Sequence, residues 1–295
     1  MLSIVKQEAT KGYGAEVILL GENFKEALNY AISQKDYAFI HAFDDDDIIA
    51  GQGTIGIEIL DEMKDVDVIL VPVGGGGLIS GIAAAVKSLS QKTEIIGAQS
   101  SSATSAYESF ISKRIIERIP QPTIADGIAV GRVGEKTFEI ISKYVDDIIK
   151  VTEESIAVAI LYFLERKKLV VEGAGAVALA ALIEQKERFK GKKIVLVVSG
   201  GNIDFTLIDR IINKGLVSGG RVGMFNIIVD DAPGSLHKLT GIIVAHGANI
   251  INLVNDRLAD IPIGKAMLRI TVEAKGLQHL NEIKTAIKET GFEII

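Results

Sequence analysis

Val68-Ile69-Leu70-Val71-Pro72-Val73-Gly74-Gly75-Gly76-Gly77-Leu78-Ile79-Ser80-Gly81 decides how this chain is read. The apolar and proline residues at its start predict a buried parallel strand, and the segment after the glycines predicts a helix. Four successive glycines let the backbone turn with positive φ and bring its N–H groups close to a ligand. The helix that follows adds the positive end of its dipole, so the natural occupant is a phosphate. A tight strand-to-helix turn without a ligand is the alternative, because single glycine-rich turns are common in α/β folds. The loop is not a Walker A motif, since no Gly-Lys-Ser/Thr follows, and it lacks the spacing of a dinucleotide fingerprint.

The composition frames that motif. At 295 residues the chain is long enough for two domains. A hydrophobic content of 48% with 24% charged residues describes a globular protein with a substantial core. The 32 basic and 38 acidic side chains leave a net charge of −6 without charge blocks, which argues against a nucleic-acid surface. The absence of cysteine excludes disulfides, thiolate catalysis and zinc–sulfur sites, and fits a reducing cytosol. No apolar run reaches membrane-spanning length and no signal-peptide core opens the chain, so a soluble, cytoplasmic protein without a membrane partner is expected.

Around the motif, strand-like and helix-like segments alternate. Residues 16–20, 38–42, 66–73, 94–98, 147–151 and 193–198, rich in Val and Ile, predict strands. Helical patterns lie between them at 23–34, 47–62, 78–90, 153–167, 173–185 and 204–214. Such alternation predicts a parallel sheet covered by helices, an α/β fold. After Gly215, Gly219 and Gly220 the pattern changes. Strand 222–229, helix 234–246, strands 249–258 and 264–272, helix 276–290 and strand 291–295 give a β-α-β-β-α-β order, the α+β ferredoxin-like arrangement. The expected domains are therefore 1–216 and 221–295. A helix at 2–11 opens the chain with no strand before it: either the chain begins inside a repeating unit, or a short helix packs on the sheet.

Three further segments bear on chemistry. Ser199-Gly200-Gly201-Asn202-Ile203-Asp204 follows an apolar strand. A serine there points into the crevice where α/β proteins bind ligands, or else caps a helix. Glu172-Gly173-Ala174-Gly175-Ala176 carries small residues that permit tight helix packing, and Glu172 is either a structural carboxylate or a group facing a polar ligand. The acidic run of residues 44–47 precedes a clear helical pattern, so capping explains it better than a metal, and no metal site is expected. The four histidines show no metal-ligand spacing; His41 alone lies near a strand end that could face the crevice. No Ser-His-Asp pattern is readable.

These motifs together resemble the threonine dehydratase (threonine ammonia-lyase) family of pyridoxal-phosphate (PLP) enzymes, fold type II, the tryptophan-synthase-β type. The matching stretches are Glu8-Ala9-Thr10-Lys11-Gly12-Tyr13-Gly14-Ala15-Glu16-Val17, His41-Ala42-Phe43-Asp44-Asp45 with Gly51-Gln52-Gly53-Thr54, and Val73-Gly74-Gly75-Gly76-Gly77-Leu78. Thr123-Ile124-Ala125-Asp126-Gly127-Ile128-Ala129-Val130, Glu172-Gly173-Ala174-Gly175-Ala176 and Ser199-Gly200-Gly201-Asn202 continue the match in order. Asp231-Ala232-Pro233-Gly234-Ser235-Leu236 and His246-Gly247-Ala248-Asn249-Ile250 resemble an ACT domain. The resemblance implies that Gly74, Gly75, Gly76, Gly77 and Leu78 donate N–H groups to the PLP phosphate and that Ser199 hydrogen-bonds the pyridine nitrogen. It implies β-elimination from threonine or serine to a 2-oxo acid and ammonia. It also implies an amino-acid effector at the ACT domain and a homo-oligomer, and it leaves open a degradative role or one in isoleucine biosynthesis.

One departure stands out. The family's Schiff-base lysine, in a Ser-x-Lys motif, and its Ser-x-Gly-Asn-His-like substrate loop have no counterpart here. The match begins downstream of both, so the catalytic region is expected to be incomplete at its N-terminus. Lys6, Lys11, Lys87 and Lys190 lack the required context, and no catalytic residue is assigned. Little or no dehydratase turnover is expected of this chain alone. The competing expectations are an amino-acid-binding regulatory protein on a remnant scaffold, and another enzyme of the same fold such as a serine dehydratase or racemase.

Overall fold

The computed structural model describes residues 4–21, 24–257 and 260–295. The chain forms two compact units, Met1–Phe205 and Thr206–Ile295. Residues 2, 3, 23 and 258 of the segments expected above lie outside the described residues.

The first unit is built on β1 (Val68–Pro72), β2 (Glu94–Ser100), β3 (Asp147–Val151) and β4 (Ile194–Leu196). They lie in the order β3-β2-β1-β4, every pair parallel. Leu70 of β1 stands opposite Ile96 on one side and Leu196 on the other. Every residue of β1 is buried, which is why its sequence is a continuous apolar run without alternation. The unit's first helices in chain order are α1 (Ile4–Gly12), α2 (Phe24–Ser33), α3 (Asp46–Glu62), α4 (Gly77–Leu89), α5 (Ser105–Ser112) and α6 (Glu135–Tyr144). They are followed by α7 (Glu153–Tyr162) and α8 (Gly173–Glu184), and α9 (Phe205–Ser218) spans the division between the units. α7 runs on into a π-helical turn, Phe163–Lys167, which Lys168 ends with a left-handed φ of 57°. Ile69, Val71, Ile79, Ile82, Val86, Ile95, Ile141 and Ile148 form the core. α3 and α4 touch backbone to backbone: a Cβ on Gly81 would run into the Ile49 carbonyl and the Gly53 nitrogen.

Two expected strands are absent. Residues 16–20 and 38–42 are irregular, and Ile18, Leu19, Leu20, Phe39 and Ile40 are exposed. Their Val and Ile content favours extended backbone, but a strand also needs a neighbour to take its N–H and C=O groups. The four-stranded parallel sheet includes neither segment. α5 and α6, which sequence reading missed, fill the stretch between β2 and β3.

The second unit contains β5 (Val222–Asp230), α10 (Ser235–Ala245), β6 (Asn249–Asp256), β7 (Lys265–Glu273), α11 (Leu277–Glu289) and β8 (Glu293–Ile294). Its antiparallel sheet runs β6-β7-β5-β8, the ferredoxin-like arrangement. Phe225, Ile227 and Val229 of β5 are buried while Met224 and Asn226, which alternate with them, are exposed, so one sheet face is covered. Leu239, Ile243, Ile283 and Ile287 of α10 and α11 supply the cover. Among the described residues of both units, no helix is long and apolar enough to cross a membrane.

Candidate functional site

Because β1 and β4 pair in parallel, the loops leaving their carboxyl ends meet. A cavity of about 600 Å³ opens there, and Gly74, Gly75, Gly76, Gly77, Leu78 and Ser199 all line it. Its size is that of a small-molecule or cofactor site. Ser199 does not cap α9, which starts only at Phe205 and is preceded by irregular backbone.

The glycine loop is shaped differently from the sequence expectation. Only Gly76 of the four has a positive φ, +100°. The others are required by close approach. A Cβ on Gly75 would lie 2.5 Å from the Phe43 ring, one on Gly77 2.9 Å from Phe43, and one on Gly74 3.0 Å from the Ile128 backbone. The space a side chain would take at these residues is therefore filled by protein neighbours. Their N–H groups are a separate matter. Residues 74–77 are buried, and the N–H groups of Gly74, Gly75 and Gly76 meet no protein acceptor among the described residues. The carbonyls, in contrast, are taken: Gly75 O accepts from the Gly134 N–H at 3.2 Å and the Thr137 hydroxyl at 2.8 Å, and Gly76 O accepts from the Ser80 N–H at 2.9 Å. Buried amides without partners are rare in proteins.

A strap formed by residues 41–46 packs over this loop. His41 Nδ1 accepts from the N–H groups of Phe43 (3.1 Å) and Asp44 (2.8 Å), which requires that nitrogen to be unprotonated. The His41 ring does not line the cavity, although Ala42 and Phe43 do. The acidic run separates into distinct tasks. Asp44 accepts from the N–H groups of Glu135 (3.0 Å) and Thr137 (3.1 Å) at the start of α6. Asp45 caps α3 through the N–H groups of Asp47 and Ile48. Asp46 pairs with Lys136 at 2.6 Å, which raises the lysine's pKa through the hydrogen bond.

The third wall is the segment from Asp126 to Val130, including the 3-10 turn Asp126–Ile128. The Glu153 carboxylate pins its approach, accepting from the Thr123 hydroxyl (2.7 Å), the Ile124 N–H (2.7 Å) and the Ser100 hydroxyl (2.6 Å). Glu172 lines the cavity at the start of α8 and donates its own N–H to Gly200 O at 3.1 Å. A Cβ on Gly200 would run into the Glu172 carboxylate, so the glycine after Ser199 makes room for that side chain. The lining residues carry two carboxylates, Asp126 and Glu172, and no lysine, arginine or histidine. With no cationic side chain in the lining, the donors open to an anion are backbone N–H groups, the Gln52 amide and the Ser199 hydroxyl, with the α4 dipole beside them.

Sequence reading missed Phe43, Asp44 as a partner of α6, and Thr137. The signal for α6 was present: Thr137, Ile141 and Val145 recur at helical spacing behind Gly134, and all three are buried.

Known proteins are similar to this chain over most of its length. The L-threonine ammonia-lyase of Thermotoga maritima is 46% identical over 289 residues, covering 97% of this chain and 72% of that protein. That of Geobacter sulfurreducens is 44% identical over 288 residues, covering 96% and 72%. Among solved structures, a threonine deaminase from T.th. superposes with a TM-score of 0.64 at 40% identity, covering 68% of this chain and 67% of that one. Maize serine racemase gives 0.66 at 30% identity, covering 73% and 68%. The pattern of the pyridoxal-phosphate dependent enzymes matches residues 3–200. That span takes in the whole parallel sheet and every wall of the cavity, and the chain belongs to the family of pyridoxal-phosphate dependent enzymes.

Proposed function

We propose that this chain is a threonine ammonia-lyase polypeptide whose cavity holds pyridoxal phosphate, with residues 74–78 at its phosphate and Ser199 at its pyridine nitrogen. The observation that carries this reading is the set of buried, unpartnered N–H groups of Gly74, Gly75 and Gly76 at the start of α4. Such a cradle fits a phosphate dianion, which accepts several hydrogen bonds at once and gains from the helix dipole. When bound, the cofactor supplies an electron sink that stabilises negative charge at the α-carbon of an amino acid. With that sink in place, threonine would lose its β-hydroxyl and, after water replaces the amine, end as 2-oxobutanoate and ammonia. Ser199 offers a neutral hydroxyl to the ring nitrogen; unlike a carboxylate, it does not force that nitrogen to take a proton. The carboxylates of Asp126 and Glu172 leave the opposite charge to the backbone amides alone.

The reaction also needs an amine to carry the cofactor and a base to move the α-proton. No lysine lines the cavity among the described residues. The 295-residue chain by itself is therefore a binder with little or no turnover. The second unit serves as an ACT-type domain that senses an amino acid and pairs with a second copy, a reading supported by its ferredoxin-like topology and by Gly234 (φ +98°) heading α10. Two assays test this account. Titration with pyridoxal phosphate, followed by visible absorbance, gives saturable binding; threonine added to the loaded chain gives no 2-oxobutanoate. Absence of binding refutes the cofactor site, and steady 2-oxobutanoate release refutes the lack of turnover.

A further inference from the structure

Thr137 is fully buried and lines no part of the cavity, yet it reaches the loop that does. It stands in the first turn of α6. Its hydroxyl lies 2.8 Å from Gly75 O and 3.2 Å from Gly134 O. A hydroxyl has one proton to give, and the shorter contact takes it. The backbone carbonyl of Thr137 in turn accepts from the Ser80 hydroxyl of α4 at 3.1 Å, so this one residue ties α6 both to the glycine loop and to α4. With the Gly134 N–H, Gly75 O receives two donors from the α6 side. In a trans peptide the N–H points opposite the C=O, so the Gly76 N–H is turned away from α6. No α6 residue lines the cavity, and the loop itself does.

We propose that the Thr137 hydroxyl is a latch that fixes the orientation of the Gly75–Gly76 peptide and thereby aims the Gly76 N–H at the phosphate. A Gly-Gly peptide meets little steric resistance to flipping, since neither residue carries a Cβ. Flipped, it would present a carbonyl oxygen to the anion in place of a donor, exchanging attraction for repulsion. Gly76 must be glycine for the latch to close: a Cβ there would lie 2.9 Å from both Cβ and Oγ1 of Thr137. Thr137 acts through Gly75 and touches no ligand, which makes it a positioning residue. The inference rests on the cofactor reading given above.

The test compares pyridoxine phosphate with pyridoxine, which lack the reactive aldehyde and differ only in the phosphate. Binding of both is measured by calorimetry to the whole chain, to Thr137→Val and to Thr137→Ser. Valine keeps the shape and removes the hydroxyl; serine keeps the hydroxyl. The latch predicts that valine weakens pyridoxine phosphate about tenfold, the order expected for one lost hydrogen bond, leaves pyridoxine unchanged, and that serine restores wild-type affinity. A valine chain that binds pyridoxine phosphate as tightly as the wild-type chain overturns the latch. So does an equal loss for both ligands, or a serine chain as weak as valine, since either marks a general packing defect. If the valine chain does not fold, the comparison passes to Thr137→Ala, which also lacks the hydroxyl. A wild-type chain that binds pyridoxine phosphate no better than pyridoxine overturns the cofactor reading itself, and the latch with it.

Discussion

The Asp44 carboxylate accepts from the backbone N–H of Thr137 at 3.1 Å, although 93 residues separate them in sequence. Its other oxygen takes the Glu135 N–H at 3.0 Å, so a loop side chain caps a helix to which it does not belong. Gly134 makes this possible, because any Cβ there would run into the Asp44 carboxylate. Asp44→Ala leaves two helix N–H groups unpaired and lowers stability by about 1 kcal/mol, up to about 2 kcal/mol for the strongest caps. Denaturant unfolding checks the loss, and hydrogen exchange places it at the first turn of α6.

Gly76 combines a φ of +100° with contact to Thr137. Gly76→Ala forces a side chain into a backbone conformation that L-residues avoid, at a strain of about 1–3 kcal/mol. Cofactor affinity falls with it, since the loop must deform. An alanine chain with wild-type unfolding and wild-type binding would show that neither constraint operates.

Gly81 sits where α4 meets α3. In an exposed helix Gly→Ala stabilises by about 1 kcal/mol. Here the new methyl meets the Ile49 carbonyl and the Gly53 nitrogen, so overpacking of about 1–3 kcal/mol prevails and Gly81→Ala destabilises. A rise in melting temperature on this substitution would contradict the backbone contact.

Glu184 links α8 to the start of α7, accepting from the Thr152 N–H at 2.9 Å and its hydroxyl at 2.7 Å. Partial burial pushes the carboxyl up, but hydrogen bonds from Ser155 and Thr152 outweigh it and hold the pKa below its usual 4.5. A depressed pKa stabilises the fold above the unfolded value, and that contribution is lost as pH falls through the folded one. Stability of the first unit therefore declines below about pH 4.5, and Glu184→Gln flattens this part of the profile. An unchanged acid limb in the glutamine chain would remove the link.

How much of this was legible in the sequence depends on how local each cause is. β1 and the glycine loop could be read because a strand buried on both faces is apolar throughout and the glycines break it sharply. Ser199 could be placed beside them because parallel strands send their carboxyl ends to one edge. Residues 16–20 and 38–42 misled, since Val and Ile report extended tendency but not the neighbour a strand requires. The glycines were read as room for a ligand, whereas Phe43, Ile128 and Thr137 claim much of that space. Nothing local in Asp44 or Thr137 announces their meeting, which the chain creates only by bringing the strap over the start of α6.

Everything proposed for the cavity depends on the amides of Gly74, Gly75 and Gly76 gripping a phosphate. A crystal structure of the chain grown with pyridoxal phosphate tests it most directly. The phosphate is expected within hydrogen-bonding distance of the Gly74, Gly75 and Gly76 N–H groups, and the pyridine nitrogen at the Ser199 hydroxyl. Phosphate density elsewhere in the molecule, with those amides facing water or protein, would contradict it.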